Sequence, residues 1–343
     1  MGMHVGRCGS RRSHSWPHRS VSAVIMVLAV ALFSAMSGSL CAAEQPLRVV
    51  TTIKPVHALV TAVMEGVGEP SVLLSGNESA HSFSLKPSEA RLLSKADVIF
   101  GIFPTLEPFM TRLIASLPKS TRVVMLAEAS GVEKLATRAG NGFEEHDDHQ
   151  HEAKHEEKHD KSHNDQDLEG QAVDPHVWLD PENARAMTRA IVATLSSRAP
   201  AHAARFAENG RRIESSLEAL REELGKQLAP LTKLRLIVFH DAYQYLERRF
   251  GLTVVGSITA NPEVAPSAKR LRELRARIAH EGDVCVLSEP QFSPKLVSAV
   301  IEGSSARVGV IDPVGGAIAP GADHYHHAMR KIAQSLLACV AKR

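Results

Sequence analysis

Short apolar, β-branched runs alternate along this chain with stretches in which apolar residues recur every third or fourth position. The run 47–53 is closed by Lys54-Pro55, and Val56, Leu59, Val60 and Val63 then mark one face of a helix. The alternation continues with strand 71–74, a helix from Pro87, strand 98–103, helix 106–117 and strand 122–126. Proline suits the first turn of that second helix, where no amide hydrogen is needed. The second half has the same grammar: strand 234–239, an amphipathic helix, strand 252–255 and helix 266–280. Strand 283–287, helix 294–302, strand 307–311 and a final helix 323–340 complete it. Strands alternating with helices predict parallel sheets covered on both faces, so the pattern reads as two α/β lobes.

Between the lobes, 182–197 and 201–228 read as helices separated by Ala199-Pro200. The second is rich in Ala, Leu, Glu and Arg and would reach about 40 Å at 1.5 Å per residue, long enough to brace two lobes. It sustains no a/d heptad, which argues against a coiled-coil arm. Residues 144–170 break the pattern altogether, being histidine, acid and lysine with almost no apolar side chain. Such a tract cannot bury a core and is expected to be disordered without metal. The expected organisation is a signal segment at 1–43, a first α/β lobe at 44–181 that includes the polar tract, linker helices at 182–230, and a second α/β lobe at 231–343.

The N-terminus carries Arg7, Arg11, Arg12 and Arg19, then a mostly apolar run at 21–35 and Cys41-Ala42-Ala43. This is the layout of a secretory signal, with small residues around a cleavage site. The apolar run is shorter than the roughly 20 residues that span a bilayer. Removing four arginines and no acid takes the formal net charge from +2 to −2. A near-neutral chain gives no reason to expect nucleic acid as a partner. The mature protein is expected to be exported, without a membrane span, and monomeric.

Cys8 and Cys41 leave with the signal, so Cys285 and Cys339 remain as an even pair in an oxidising compartment. A bridge between them would close a loop of about 54 residues, worth roughly 4 kcal/mol in the chain-entropy model. Metal ligation by the pair is the weaker alternative, since neither cysteine has a close cysteine or histidine partner.

The candidate chemistry lies in the histidines. His81 sits in Ala-His-Ser-Phe-Ser-Leu-Lys-Pro, His176 in Asp-Pro-His-Val-Trp-Leu-Asp-Pro, and His240 in Ile-Val-Phe-His-Asp-Ala-Tyr. His81 and His240 follow strands, where open α/β sheets bind their ligands, and His176 sits at the seam between lobes. Imidazole suits zinc, and three ligands so far apart in sequence converge only through a fold. Asp174, Asp180 and Asp241 flank them and are candidates to orient the rings through their second N–H. His146, His149, His151, His155, His159 and His163 lie in the polar tract and read as a separate, weak metal sponge. His57 reads as structural, His324, His326 and His327 as exposed residues opening the last helix, and Trp178 as packing beside the site.

On these residues the chain resembles the periplasmic metal-binding components of ABC importers, specifically the zinc-binding, ZnuA-like branch. The resemblance rests on Thr-Ile-Lys-Pro-Val-His at 52–57, His-Ser-Phe-Ser-Leu-Lys-Pro-Ser at 81–88, and Asp-Pro-His-Val-Trp-Leu-Asp-Pro at 174–181. Phe-His-Asp-Ala-Tyr at 239–243, Ser-Glu-Pro-Gln-Phe at 288–292 and Ile-Asp-Pro-Val-Gly at 311–315 follow in the same order. It implies two lobes joined by a rigid helix, a metal site in the interlobe cleft, a membrane permease as docking partner, and a Cys285–Cys339 disulfide. It carries His81, His176 and His240 over as ligands. In manganese-binding relatives the third position is typically a carboxylate, so His240 points to zinc, as does the softer character of imidazole. Some zinc-binding relatives place a glutamate before the first histidine, where this chain has Ala80; Asp312, a water or Glu78 is then the expected fourth ligand.

The leading expectation is capture of Zn2+ in the periplasm and its delivery to an importer, with the tract as an accessory site. Affinity is expected to fall below about pH 6.5, where imidazole protonates. A zinc-dependent adhesin on the same fold is one alternative. A zinc hydrolase is another, disfavoured because no His-Glu-x-x-His helix or other hydrolytic signature occurs.

Overall fold

The computed structural model describes residues 46–138, 172–259 and 261–341. Strands β1 (Val49–Ile53), β2 (Ser71–Leu74), β3 (Val98–Gly101) and β4 (Arg122–Met125) form a parallel sheet in the order β2-β1-β3-β4. Strands β5 (Arg235–His240), β6 (Thr253–Thr259), β7 (Val284–Ser288) and β8 (Arg307–Val310) repeat that plan as β6-β5-β7-β8, again all parallel. Every residue of β1 and β3 is buried, which is what a sheet covered on both faces requires. The architecture is the two-lobed α/β arrangement expected.

The first half contributes helices α1 (Lys54–Met64), α2 (Pro87–Ser94) and α3 (Pro108–Ile114). Each has proline at its first or second position, which pre-sets the backbone and wastes no amide hydrogen. α4 (Pro181–Arg198) starts the same way, with the Asp180 carboxylate accepting from the Glu182 amide at 2.9 Å. α5 (Ala203–Leu228) is 26 residues long and buries Phe206, Ile213, Leu217, Leu220, Leu224 and Leu228 along one stripe. α6 (Gln244–Phe250), α7 (Ala268–Glu281) and α8 (Lys295–Ile301) belong to the second half, and α9 (His324–Ala341) ends it. α9 crosses back to pack on α1 and α5, so the brace is a three-helix seam rather than one rod.

The sequence reading differs from the structure at several ends. The stretch 201–228 opens with a 3-10 turn, Pro200–His202, before α5 begins. The helix expected at 106–117 starts only at Pro108, because the amides of Leu106 and Glu107 both turn back onto the Phe103 carbonyl. β6 runs on through Gly256-Ser257 to Thr259, although glycine and serine read as a break. Gly256 is needed there: a Cβ would lie 3.1 Å from Leu274 of α7, so its absence lets helix and strand close up.

Cys285 of β7 and Cys339 of α9 form a disulfide with Cα atoms 6.3 Å apart. Among the described residues no helix is long and apolar enough to cross a membrane. The expected signal at 1–43 and the histidine tract at 144–170 lie outside the described residues.

Candidate metal site

In both sheets the strand order reverses between the first strand and the third, at β1/β3 and at β5/β7, and all carboxyl ends point one way. Such switch points are where open α/β sheets bind ligands. His240 is the last residue of β5, and Glu289 directly follows β7. Because β5 and β7 are paired, these two side chains meet. His81 comes from the loop after β2, and His176 from the turn that leads into α4.

The three imidazoles converge. His176 Nε2 lies 3.4 Å from His81 Nε2 and 3.3 Å from His240 Nε2, and the three form one group with ligand atoms within 4.8 Å of each other. His176 Nδ1 lies 2.7 Å from Asp174 Oδ1, and His240 Nδ1 lies 2.8 Å from Glu289 Oε1. A carboxylate only accepts, so each Nδ1 carries the proton it donates, and each Nε2 presents a bare lone pair. Two such lone pairs 3.3 Å apart repel unless a cation sits between them. Four-coordinate zinc with Zn–N bonds of ~2.0–2.1 Å spaces its nitrogens by about 3.3–3.4 Å. The residues fit that ion.

The surroundings fix the donors in place. His176 and His240 are buried, and His81 is half-buried on the solvent side of the trio. Burial, followed by the neighbouring His176 and His240, lowers the His81 pKa to about 3, so this ring is neutral and ready to ligate. For His240, burial works downward, but the charge and hydrogen bond of Glu289, with Asp174 and Asp241 behind, outweigh it and raise its pKa. Asp174 is itself anchored: its Oδ1 also accepts from the His176 amide at 3.0 Å and its Oδ2 from Gln244 Nε2 at 3.0 Å. The cavity between the rings is about 30 Å³, room for an ion and little else, and is lined also by Glu78, Ala80, Leu106, Trp178, Pro313 and Val314. On the far side of His81 an open groove of about 520 Å³ runs past Phe83, Phe109 and Arg112 to solvent.

Several other expectations are redirected. Asp312 lies outside the histidine group: Oδ1 accepts from Gln291 Nε2 and from the amides of Val314 and Gly315, and Oδ2 from the Gly316 amide. Its lone pairs hold a loop. Among the described residues no carboxylate joins the three imidazoles, while Glu78 stands in the cavity wall. Asp180 caps α4 and pairs with Arg249, and Asp241 pairs with Arg138, so neither orients a ligand. Glu289 has the role expected of Asp241. His324 is buried rather than exposed, its Nε2 donating to Gly315 O at 3.1 Å. His57 is buried beside Pro70 O, and Trp178 packs 5.3 Å from the His176 ring. His146, His149, His151, His155, His159 and His163 lie outside the described residues.

The family model of the zinc-uptake complex component A, periplasmic, matches residues 49–339. This chain belongs to the ZnuA family. The high-affinity zinc uptake system protein ZnuA of Brucella suis biovar 1 is 41% identical over 92% of this chain and 98% of its own length. The same-named protein of Paracoccus denitrificans is 38% identical over 92% of this chain and 97% of its own. Among solved structures, the periplasmic zinc-binding protein TroA of Treponema pallidum shares the fold with a TM-score of 0.70, at 21% identity over 87% of this chain and 99% of its own. Membership in the ZnuA family makes the chain a solute-binding component of zinc uptake and not an enzyme.

Proposed function

We propose that this ZnuA-family protein captures Zn2+ in the periplasm on His81, His176 and His240 and hands it to the permease of an ABC zinc importer. The observation that carries the reading is the convergence of three imidazoles, with His176 Nε2 3.4 Å from His81 Nε2 and 3.3 Å from His240 Nε2, and with His176 and His240 fixed by buried carboxylates. An all-imidazole donor set favours zinc over hard Mn²⁺. With Asp312 engaged elsewhere, a water takes the fourth position, within reach of Glu78 in the cavity wall.

Residues 1–43 act as the export signal, and the tract at 144–170 collects zinc weakly ahead of the cleft. The first lobe (44–181) brings His81 and His176 to the seam, the second lobe (231–343) brings His240, the linker helices (182–230) brace the two, and the protein works as a monomer. A cell strain lacking this chain and grown under zinc limitation tests the proposal. Restored ⁶⁵Zn uptake with the wild-type chain, but not with His240→Ala, is the expected result. Equal restoration by both would overturn it.

A further inference from the structure

Residues 312–318 follow β8 and roof the metal cavity, into which Pro313 and Val314 face. From the second half, Asp312 gathers three successive amides of this loop and His324 donates to the Gly315 carbonyl. The Trp178 indole donates to the Pro313 carbonyl at 2.8 Å. The Gly316 and Ile318 carbonyls are held from the other lobe: Lys54 Nζ donates to them at 2.5 and 3.1 Å.

Lys54 is an unusual residue to find there. It opens α1 directly behind β1 and is only 3% exposed. A buried ammonium costs free energy unless it is well bonded. Its hydrogen bonds go to carbonyl oxygens of the opposite lobe; burial lowers its pKa, and the charges of Asp312 and Glu78 oppose that loss of its proton. The two loops also touch beside it. A Cβ on Gly316 would run into the Asn77 side chain and stand 3.2 Å from the Gly76 carbonyl, in the same loop as Glu78 and His81. The loop that bears His81 therefore rests on the loop that roofs the cavity, and Lys54 fastens the second of these to the lobe that carries the first.

Resting on the zinc-capture reading above, we infer that Lys54 is a positioning residue: a tether across the cleft that keeps the His81 side and the His240 side together and so sets how slowly zinc leaves. His81 belongs to one lobe and His240 to the other, so parting the lobes breaks coordination. A tether acting on the closed state slows departure far more than arrival.

The test is stopped-flow transfer of zinc from the loaded mature protein to excess chelator, beside the association rate and the melting temperature of the metal-free form. Lys54→Met should release zinc about tenfold faster or more, as the loss of charged hydrogen bonds implies, with association changed much less. Lys54→Arg, which keeps the charge and donors, should stay closer to wild type than Lys54→Met. Should Lys54→Met fail to fold, Gly316→Ala forces the same two loops apart and should also speed release, and adding Asn77→Ala to it should slow release again. Zinc that leaves Lys54→Met or Gly316→Ala at the wild-type rate would overturn the tether while leaving zinc capture intact. A wild-type chain that does not retain zinc at all would overturn the capture reading and the tether with it.

Discussion

Glu289 Oε1 sits 2.8 Å from His240 Nδ1, at the ends of two neighbouring parallel strands, with both groups buried. The contact fixes which nitrogen of His240 carries the proton and aims the other at His176. Truncating the carboxylate frees the ring to rotate and to take the wrong tautomer. Glu289→Ala should weaken zinc binding by about 10–100-fold, the usual cost of losing such an outer partner. Glu289→Gln, whose amide oxygen still accepts the Nδ1 proton, should weaken it less. Competitive titration against a chromophoric chelator measures both.

Glu107 carries a carboxyl group outside the histidine trio. Glu107 is fully buried before α3, with Oε2 accepting from the Ile102 amide at 2.9 Å. Burial raises its pKa from 4.5 to about 7, against smaller downward pulls from Thr52 and the amides of Ile102 and Phe103. The folded chain therefore keeps a proton that the unfolded chain releases above pH 4.5. Stability is undiminished below that pH, falls as pH rises toward 7, and stays reduced above it, by on the order of 3 kcal/mol. Glu107→Gln should match the wild type at pH 4 and melt higher at pH 8. A constant difference across that range would contradict the assignment.

The Cys285–Cys339 bridge ties α9, which packs on both α1 and α5, to β7. Its loop spans 54 residues, so replacing both cysteines by serine should lower unfolding free energy by roughly 4 kcal/mol. Urea denaturation of the metal-free protein should show the lower midpoint.

The helix–strand grammar of both lobes was legible in the chain because fully buried parallel strands are apolar throughout, and proline marks the helix starts at Pro55, Pro87 and Pro181. His81, His176 and His240 were legible as candidates from their positions after strands and at the seam. The residues that serve them were harder to read. Asp241 adjoins His240 in sequence but turns to Arg138, whereas Glu289 is 49 residues away and becomes its partner only through the pairing of β5 with β7. Asp312 follows a strand just as His240 does, but β8 is the edge strand, separated from β5 by β7. Four N–H donors then claim its oxygens. His324 looked like an exposed helix opener because its burial comes from α9 crossing to the other lobe, a contact no local pattern encodes.

The most direct test of the account is a competitive zinc titration of the metal-free mature protein beside His81→Ala and a variant lacking residues 144–170. One tight site, lost in His81→Ala and kept after the tract deletion, is the expected result. Tight binding that survives His81→Ala and vanishes with the tract would contradict it, and would make the chain a histidine-rich zinc buffer.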